Sequence, residues 1–264
     1  MKISECTNRS ILVPCSLKNF EYQIDPYIGC EHFCRYCYVL NQAETDWTKE
    51  VFIHKDITNQ LSNELDNIEP QKIYMGYYSD PYQPCEENYL QTRKALELLA
   101  ENRFSVSILT KSNLVTRDID ILSKMSDASI SVSVAFNDNS TRKYFEAKTI
   151  DTEDRIAALR KLKNAGISTS ALLCPVIPYI TDVKHLINLL APYTNVIWIY
   201  ALSFLDTSDP GWQNVKAILK NEYSDLSDKI EETIFNKDHI YWKNLRQELI
   251  DLQEKKKLSL NIHI

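Results

Sequence analysis

Short runs rich in β-branched and aromatic residues alternate along the chain with stretches whose apolar residues recur every three or four positions. Residues 22–24, 73–75, 106–110, 130–135, 167–173 and 196–201 read as strands. Residues 92–101, 117–125, 154–165 and 183–190 read as helices between them. In the third of these helices Ile156, Leu159 and Leu162 share one face. Asp151 or Thr152 caps its start, and Gly166 ends it. Such alternation demands right-handed crossovers and a parallel sheet. The expected fold is therefore α/β, a partial (β/α)6 TIM-like barrel with parallel strands. In residues 105–108 and 129–134 serines alternate with valine or isoleucine. The apolar faces are expected on helices and the serine faces toward a lumen; a solvated edge strand is the alternative. From Asp206 the rhythm changes: residues 212–222, 226–235 and 241–254 read as helices, and 258–264 as a closing strand. The expected organisation is a core over residues 1–205, with a short N-terminal lead-in, and a helical C-terminal extension over 206–264 packed on it.

Composition narrows the class. A chain of 264 residues, 44% apolar and 25% charged, suits a soluble globular protein with its own core. No apolar run reaches membrane-spanning length, and residues 1–18 lack the apolar stretch of a secretory signal. Cytoplasmic location without membrane attachment is the expectation. Seven cysteines, an odd number, point to metal binding or thiols in a reducing compartment. A net charge of −6 argues against broad nucleic-acid binding but not against a local basic groove. Lys255-Lys256-Lys257 reads as a solvated helix end. Only four glycines occur; Gly29 abuts a cysteine and Gly76 follows a strand, positions where a side chain is expected to be excluded.

Cys30, Cys34 and Cys37 form C-x3-C-x2-C within eight residues. Three thiolates at this spacing suit one inorganic centre, and three rather than four leave a metal position open. A disulfide, a Cys3His zinc site using His32, and chance clustering are the competing readings. The spacing around His32 is cramped for zinc, whose sites more often show two separated ligand pairs. Cys6, Cys15, Cys85 and Cys174 lack such spacing and read as structural thiols, as His54, His185, His239 and His263 read as structural or exposed. Parallel barrels gather their chemistry at the C-terminal strand ends. Those ends carry the cysteine loop, Ser79-Asp80-Pro81-Tyr82-Gln83-Pro84, Thr110-Lys111-Ser112 and Ser133. Such a rim suits a zwitterionic, ribose-bearing cofactor, with Lys111 toward a carboxylate and Ser79, Asp80 and Ser133 toward amine or hydroxyl groups.

With an aromatic residue, Tyr36, before its third cysteine, this loop resembles the signature of the radical S-adenosylmethionine (SAM) enzymes. Residues 27–38, the Ser-Asp-Pro-Tyr-Gln-Pro stretch with Glu86 and Thr92-Arg93, Leu109-Thr110-Lys111-Ser112 before Arg117-Asp118, and Arg155 with Leu159 are similar to the spore photoproduct lyase-like branch. The resemblance implies a [4Fe–4S] cluster on Cys30, Cys34 and Cys37. It implies SAM held by Tyr36, Ser79, Asp80, Lys111 and Ser133, and a catalytic Tyr38 that positions or relays a radical. It also implies a one-electron donor such as flavodoxin or ferredoxin, and hydrogen abstraction from a substrate, a nucleic-acid lesion or a peptide. Two departures stand out. Tyr77 and Tyr78 precede Ser79 where the lyases carry a hydrogen-donor cysteine, and Glu146-Ala147 stands where relatives have Glu-Pro. The reading from a different class is a noncatalytic, zinc-stabilised barrel or binding module.

Overall fold

The computed structural model describes residues 1–7, 9–43 and 45–264. Its strands are β1 (Lys2–Cys6), β2 (Leu12–Pro14), β3 (Tyr22–Ile24), β4 (Tyr27–Ile28), β5 (Glu50–His54) and β6 (Lys72–Met75). They continue with β7 (Ser105–Thr110), β8 (Ser129–Ser133), β9 (Ser168–Val176), β10 (Val196–Ala201) and β11 (Leu260–His263). The helices are α1 (Ile57–Leu65), α2 (Glu86–Tyr89), α3 (Gln91–Glu101), α4 (Ile119–Leu122) and α5 (Asn139–Phe145). After them come α6 (Thr152–Asn164), α7 (Val183–Leu190), α8 (Pro210–Glu222), α9 (Ser224–Phe235) and α10 (Ile240–Lys256). The architecture is α/β with a mostly parallel sheet, as the alternation of elements requires.

Two compact units divide the residues. The first comprises Met1–His32, Ala43–Val132 and Ala157–Thr169; the second comprises Phe33–Gln42, Ser133–Ile156 and Ser170–Ile264. In the first, β2 runs antiparallel to β3, and β3–β6, β6–β7 and β7–β8 pair in parallel. Strand β7 therefore has a neighbour on each side and is no edge. Val106 and Ile108 are fully buried; on the other face Ser107 is half-buried but Ser105 is buried too, so burial alone does not separate the apolar and serine faces. Helix α3 buries Thr92, Ala95, Leu96 and Leu99, spaced at i, i+3, i+4 and i+7 on one face. A small second sheet, β1–β5 parallel and β4–β5 antiparallel, was not foreseen from the sequence.

In the second unit β9–β10 and β10–β11 pair in parallel, so residues 260–263 form the expected closing strand. Helix α7 starts at Asp182, whose carboxylate accepts from His185 N, and buries Val183, Leu186, Ile187 and Leu190. The main apolar core gathers Phe136, Phe145, Leu202, Trp212, Leu219 and Ile230 with several neighbours. Phe136 and Phe145 stack with ring centroids 5.3 Å apart. One helix differs from expectation: 117–125 resolves into a 3-10 turn, Asn113–Asp118, followed by the short α4. Asp118 leaves the helical region at φ −98°, ψ 16°, because its buried carboxylate turns to the guanidinium groups of Arg93 and Arg117.

Candidate functional site

In the first unit the opening of the cysteine loop is bonded to the Ser-Asp-Pro-Tyr-Gln-Pro segment. Gln83 Nε2 donates to Gly29 O at 3.1 Å, and Glu31 N donates to Gln83 Oε1 at 2.8 Å. Cys85 N donates to Glu31 Oε2 at 2.5 Å, and His32 Nε2 lies 3.3 Å from Asp80 Oδ2. Ser79 Oγ donates to Tyr27 O at 2.8 Å. Cys30 sits buried within this frame.

The frame exists because the chain turns sharply after β6. Gly76 has φ +97°, and a Cβ there would lie 2.4 Å from Leu109 O, so β6 and β7 approach more closely than a side chain permits. Asp80 then closes the turn by accepting from Tyr82 N at 2.9 Å. It also accepts from Thr110 Oγ1 at 2.6 Å and Lys111 N at 2.7 Å, which fixes the end of β7. Burial pushes the Asp80 carboxyl up. His32 and the surrounding N–H and O–H donors outweigh that and bring it down to about 2, so it stays ionised. Beneath the frame, the fully buried Glu86 carboxylate takes the Tyr27 hydroxyl, Thr92 N at 2.9 Å and Arg117 Nη2 at 2.6 Å. Burial, followed by the Glu31 carboxylate, raises the Cys85 thiol, which stays protonated and inert as a structural thiol does.

The rest of the loop lies in the second unit. Cys37 N donates to Cys34 O at 3.1 Å, and Leu40 N to Cys37 O at 3.2 Å, which starts the 3-10 turn Tyr38–Gln42. Cys34 is buried and Cys37 half-buried. Arg35 N donates to Phe145 O at 2.9 Å. The Tyr36 hydroxyl donates to Glu146, whose other oxygen meets Arg155 Nη2 at 2.5 Å. Arg155 also donates to Ser133 O at 2.9 Å and Ile150 O at 3.3 Å. Burial, then the negative Glu146, holds the Tyr36 hydroxyl well above the usual phenol range, so it remains a donor. Ser133 is fully buried, its Oγ 3.5 Å from Cys174 O, whereas Tyr38 is half exposed.

Thus Ser79, Asp80 and the Lys111 backbone are brought together with the start of the loop, and Tyr36 and Ser133 are joined through Glu146 and Arg155. The anchoring roles of Glu31, His32, Gln83 and Glu146 escaped sequence reasoning. Arg155 had a legible signal: with Leu159 and Leu162 it occupies i, i+4 and i+7 on an apolar helix face, where a charge must find a buried partner.

Among the described residues no three His, Cys, Asp or Glu side chains are already grouped as a metal site, and no disulfide joins the cysteines. The donor chemistry nevertheless fits an iron–sulfur cluster: three soft thiols in eight residues, two of them buried, with His32 directed to Asp80 instead. Among the described residues no helix is long and apolar enough to cross a membrane.

Comparison with known proteins agrees with this chemistry. The family model of the radical SAM superfamily matches residues 24–190. An uncharacterized protein of Methanocaldococcus jannaschii is 32% identical over 197 residues, 73% of each chain. The spore photoproduct lyase of Clostridium acetobutylicum is 28% identical over 60% of this chain and 47% of its own. Relatives in Mycobacterium are spanned over only 54% of their length. Among solved structures, a mutant spore photoproduct lyase with dinucleoside spore photoproduct superposes with a TM-score of 0.65 at 16% identity, over 83% of this chain and 66% of that one. Streptococcus suis SuiB bound to its precursor peptide SuiA gives 0.56 at 12% identity, over 89% and 47%. The fold is accordingly the partial barrel of these enzymes, and SAM and an iron–sulfur cluster are the cofactors that membership implies. With its thiol triad and this match over more than half its length, the chain belongs to the radical SAM superfamily and is a radical SAM enzyme.

Proposed function

We propose that Cys30, Cys34 and Cys37 ligate a [4Fe–4S] cluster and that the protein cleaves SAM reductively to act on a nucleic-acid lesion or a peptide. The observation that carries this reading is the bonding of the cysteine loop to the Ser-Asp-Pro-Tyr-Gln-Pro segment through Gln83, Glu31 and His32. Two motifs about fifty residues apart act as one device, a coupling that a lone metal knuckle does not need. When bound, the cluster and SAM supply a 5′-deoxyadenosyl radical that abstracts hydrogen. The protein's own residues bind and orient. Tyr36, Ser79, Asp80, Lys111 and Ser133 are the proposed SAM contacts. Asp80, with both oxygens engaged by Thr110, Lys111 N, Tyr82 N and His32, serves chiefly by holding the loop and the Lys111 backbone. The half-exposed Tyr38 is the proposed residue at the reacting centre. An external one-electron donor of the flavodoxin or ferredoxin type, in the cytoplasm, completes the reading. Two of the structural neighbours, one holding a dinucleoside and one a peptide, support these two substrate classes.

The test is anaerobic reconstitution with iron and sulfide, followed by dithionite and SAM, with chromatography for 5′-deoxyadenosine. A brown protein that forms 5′-deoxyadenosine, and a Cys34→Ala variant that forms none, are the expected results. Stoichiometric zinc with no cluster would sink the proposal and leave a zinc-stabilised binding module.

A further inference from the structure

The family match ends at residue 190, yet the second half of the cysteine loop is built against α8, which lies beyond it. Asp209 caps α8, its Oδ1 accepting from Gly211 N at 2.8 Å. Its Oδ2 accepts from Leu205 N at 3.3 Å and from Asn41 Nδ2 at 2.8 Å. Asn41 belongs to the 3-10 turn that follows Cys37, so one carboxylate fixes both a helix start and the loop. Gly211 explains why a helix end fits here. A Cβ at 211 would lie 3.1 Å from the Phe204 ring and 3.5 Å from Cys37 O, so the first turn of α8 rests on the backbone of the third cysteine. Behind it, Tyr36 and Phe204 pack on the core that Phe145, Leu202, Trp212 and Ile234 build. Only Trp212 and Ile234 of those four come from the extension, but Trp212 is completely buried and central to the contact with Phe204, at 5.6 Å between centroids.

We propose that residues 209–212 are a clamp that positions Cys37, so the C-terminal extension sets how firmly the cluster is held and the electronic environment of its third thiolate. This rests on the cluster assigned above. The clamp residues touch neither metal nor substrate; they act through the loop, as outer-shell groups do around other metal ligands.

The clamp has a direct test, because its central hydrogen bond can be broken and then rebuilt. Asn41→Asp sets a second carboxylate against the buried Asp209. The exchange Asn41→Asp with Asp209→Asn restores a donor facing an acceptor and keeps an oxygen to cap α8, giving up only the longer Leu205 N contact. Each full-length protein is reconstituted anaerobically. Three readings are taken: iron loss to a chelator, the electron paramagnetic resonance spectrum of the reduced cluster, and the thermal midpoint. Asn41→Asp is expected to lose iron about tenfold faster, the lower end for outer-shell changes, with an altered spectrum. The exchange is expected to return both readings most of the way to those of the unaltered chain. An Asn41→Asp protein with unchanged iron loss and spectrum overturns the clamp. Should Asn41→Asp prevent folding, the exchange alone decides: a folded exchange protein that still sheds iron quickly also overturns it. An unaltered chain that takes up no cluster overturns the clamp together with the function it rests on.

Discussion

Asp25 lies beneath the turn that carries the Ser79-Asp80 pair. Its Oδ1 accepts from Tyr78 N at 2.8 Å and Ser79 N at 2.9 Å, and its Oδ2 from Gln23 Nε2 at 3.2 Å. Burial wins over these donors, pushing the carboxyl up to about 6 from 3.8. The folded state therefore binds the proton more tightly than the unfolded chain. Stability falls as pH rises between these two values, and the full penalty, about 3 kcal/mol for two units, applies above pH 6. Asp25→Asn keeps the oxygen that serves Tyr78 and Ser79. The Gln23 amide, whose Oε1 is buried and unbonded, can rotate to meet the new donor. Urea unfolding at pH 4 and pH 8 should show the variant more stable than the parent at pH 8, by up to about 3 kcal/mol, and no better at pH 4. A variant destabilised at pH 8 as much as at pH 4, or more, would show that burial does not penalise the charge.

Among elements, the β6–β7 approach at Gly76 gives the sharpest expectation. Gly76→Ala combines positive φ with a Cβ 2.4 Å from a carbonyl, and should cost about 3 kcal/mol or more in urea unfolding. A loss below about 0.5 kcal/mol, the level of ordinary surface changes, would show that the turn gives way. The same scale shows what the sequence discloses. Helix α7 is legible because its cap and its apolar spacing agree: Asp182 followed by Val183, Leu186, Ile187 and Leu190. Helix α4 is not, because Asp118 answers Arg93, twenty-five positions back, and its neighbour Arg117 rather than its own helix. Strand β1 hides for another reason. No residue of Lys2–Cys6 is fully buried, and its partner Glu50–His54 lies some forty-eight positions away, so neither pattern nor proximity marks the pairing. The site divides likewise. Cysteines at C-x3-C-x2-C announce themselves by spacing. The anchoring by Gln83 and Glu31 consists of hydrogen bonds across 52 to 54 positions, which no local rule contains.

For the molecule as a whole, the recognisable part and the part that holds the loop coincide only in part. The core of the second unit joins Phe136 and Phe145, inside the family match, to Trp212, Leu219 and Ile230, outside it. Similarity thus identifies the chemistry while leaving out a share of its support. Buried charge imposes a further tie within this unit. Arg155 and Glu146 are each almost wholly removed from solvent and answer one another at 2.5 Å. Removing either alone strands the other, at about 3–5 kcal/mol; removing both with apolar groups of similar size costs far less. Urea unfolding of Arg155→Met, Glu146→Leu and the double variant should show that the two losses do not add, and additive losses would deny the tie. The consequence is that the pair behaves as one position. A single substitution at either position meets the whole cost of the other's uncompensated charge, whereas a paired exchange does not, so the two residues change cheaply only together, and Tyr36 and Ser133 lose a partner with them.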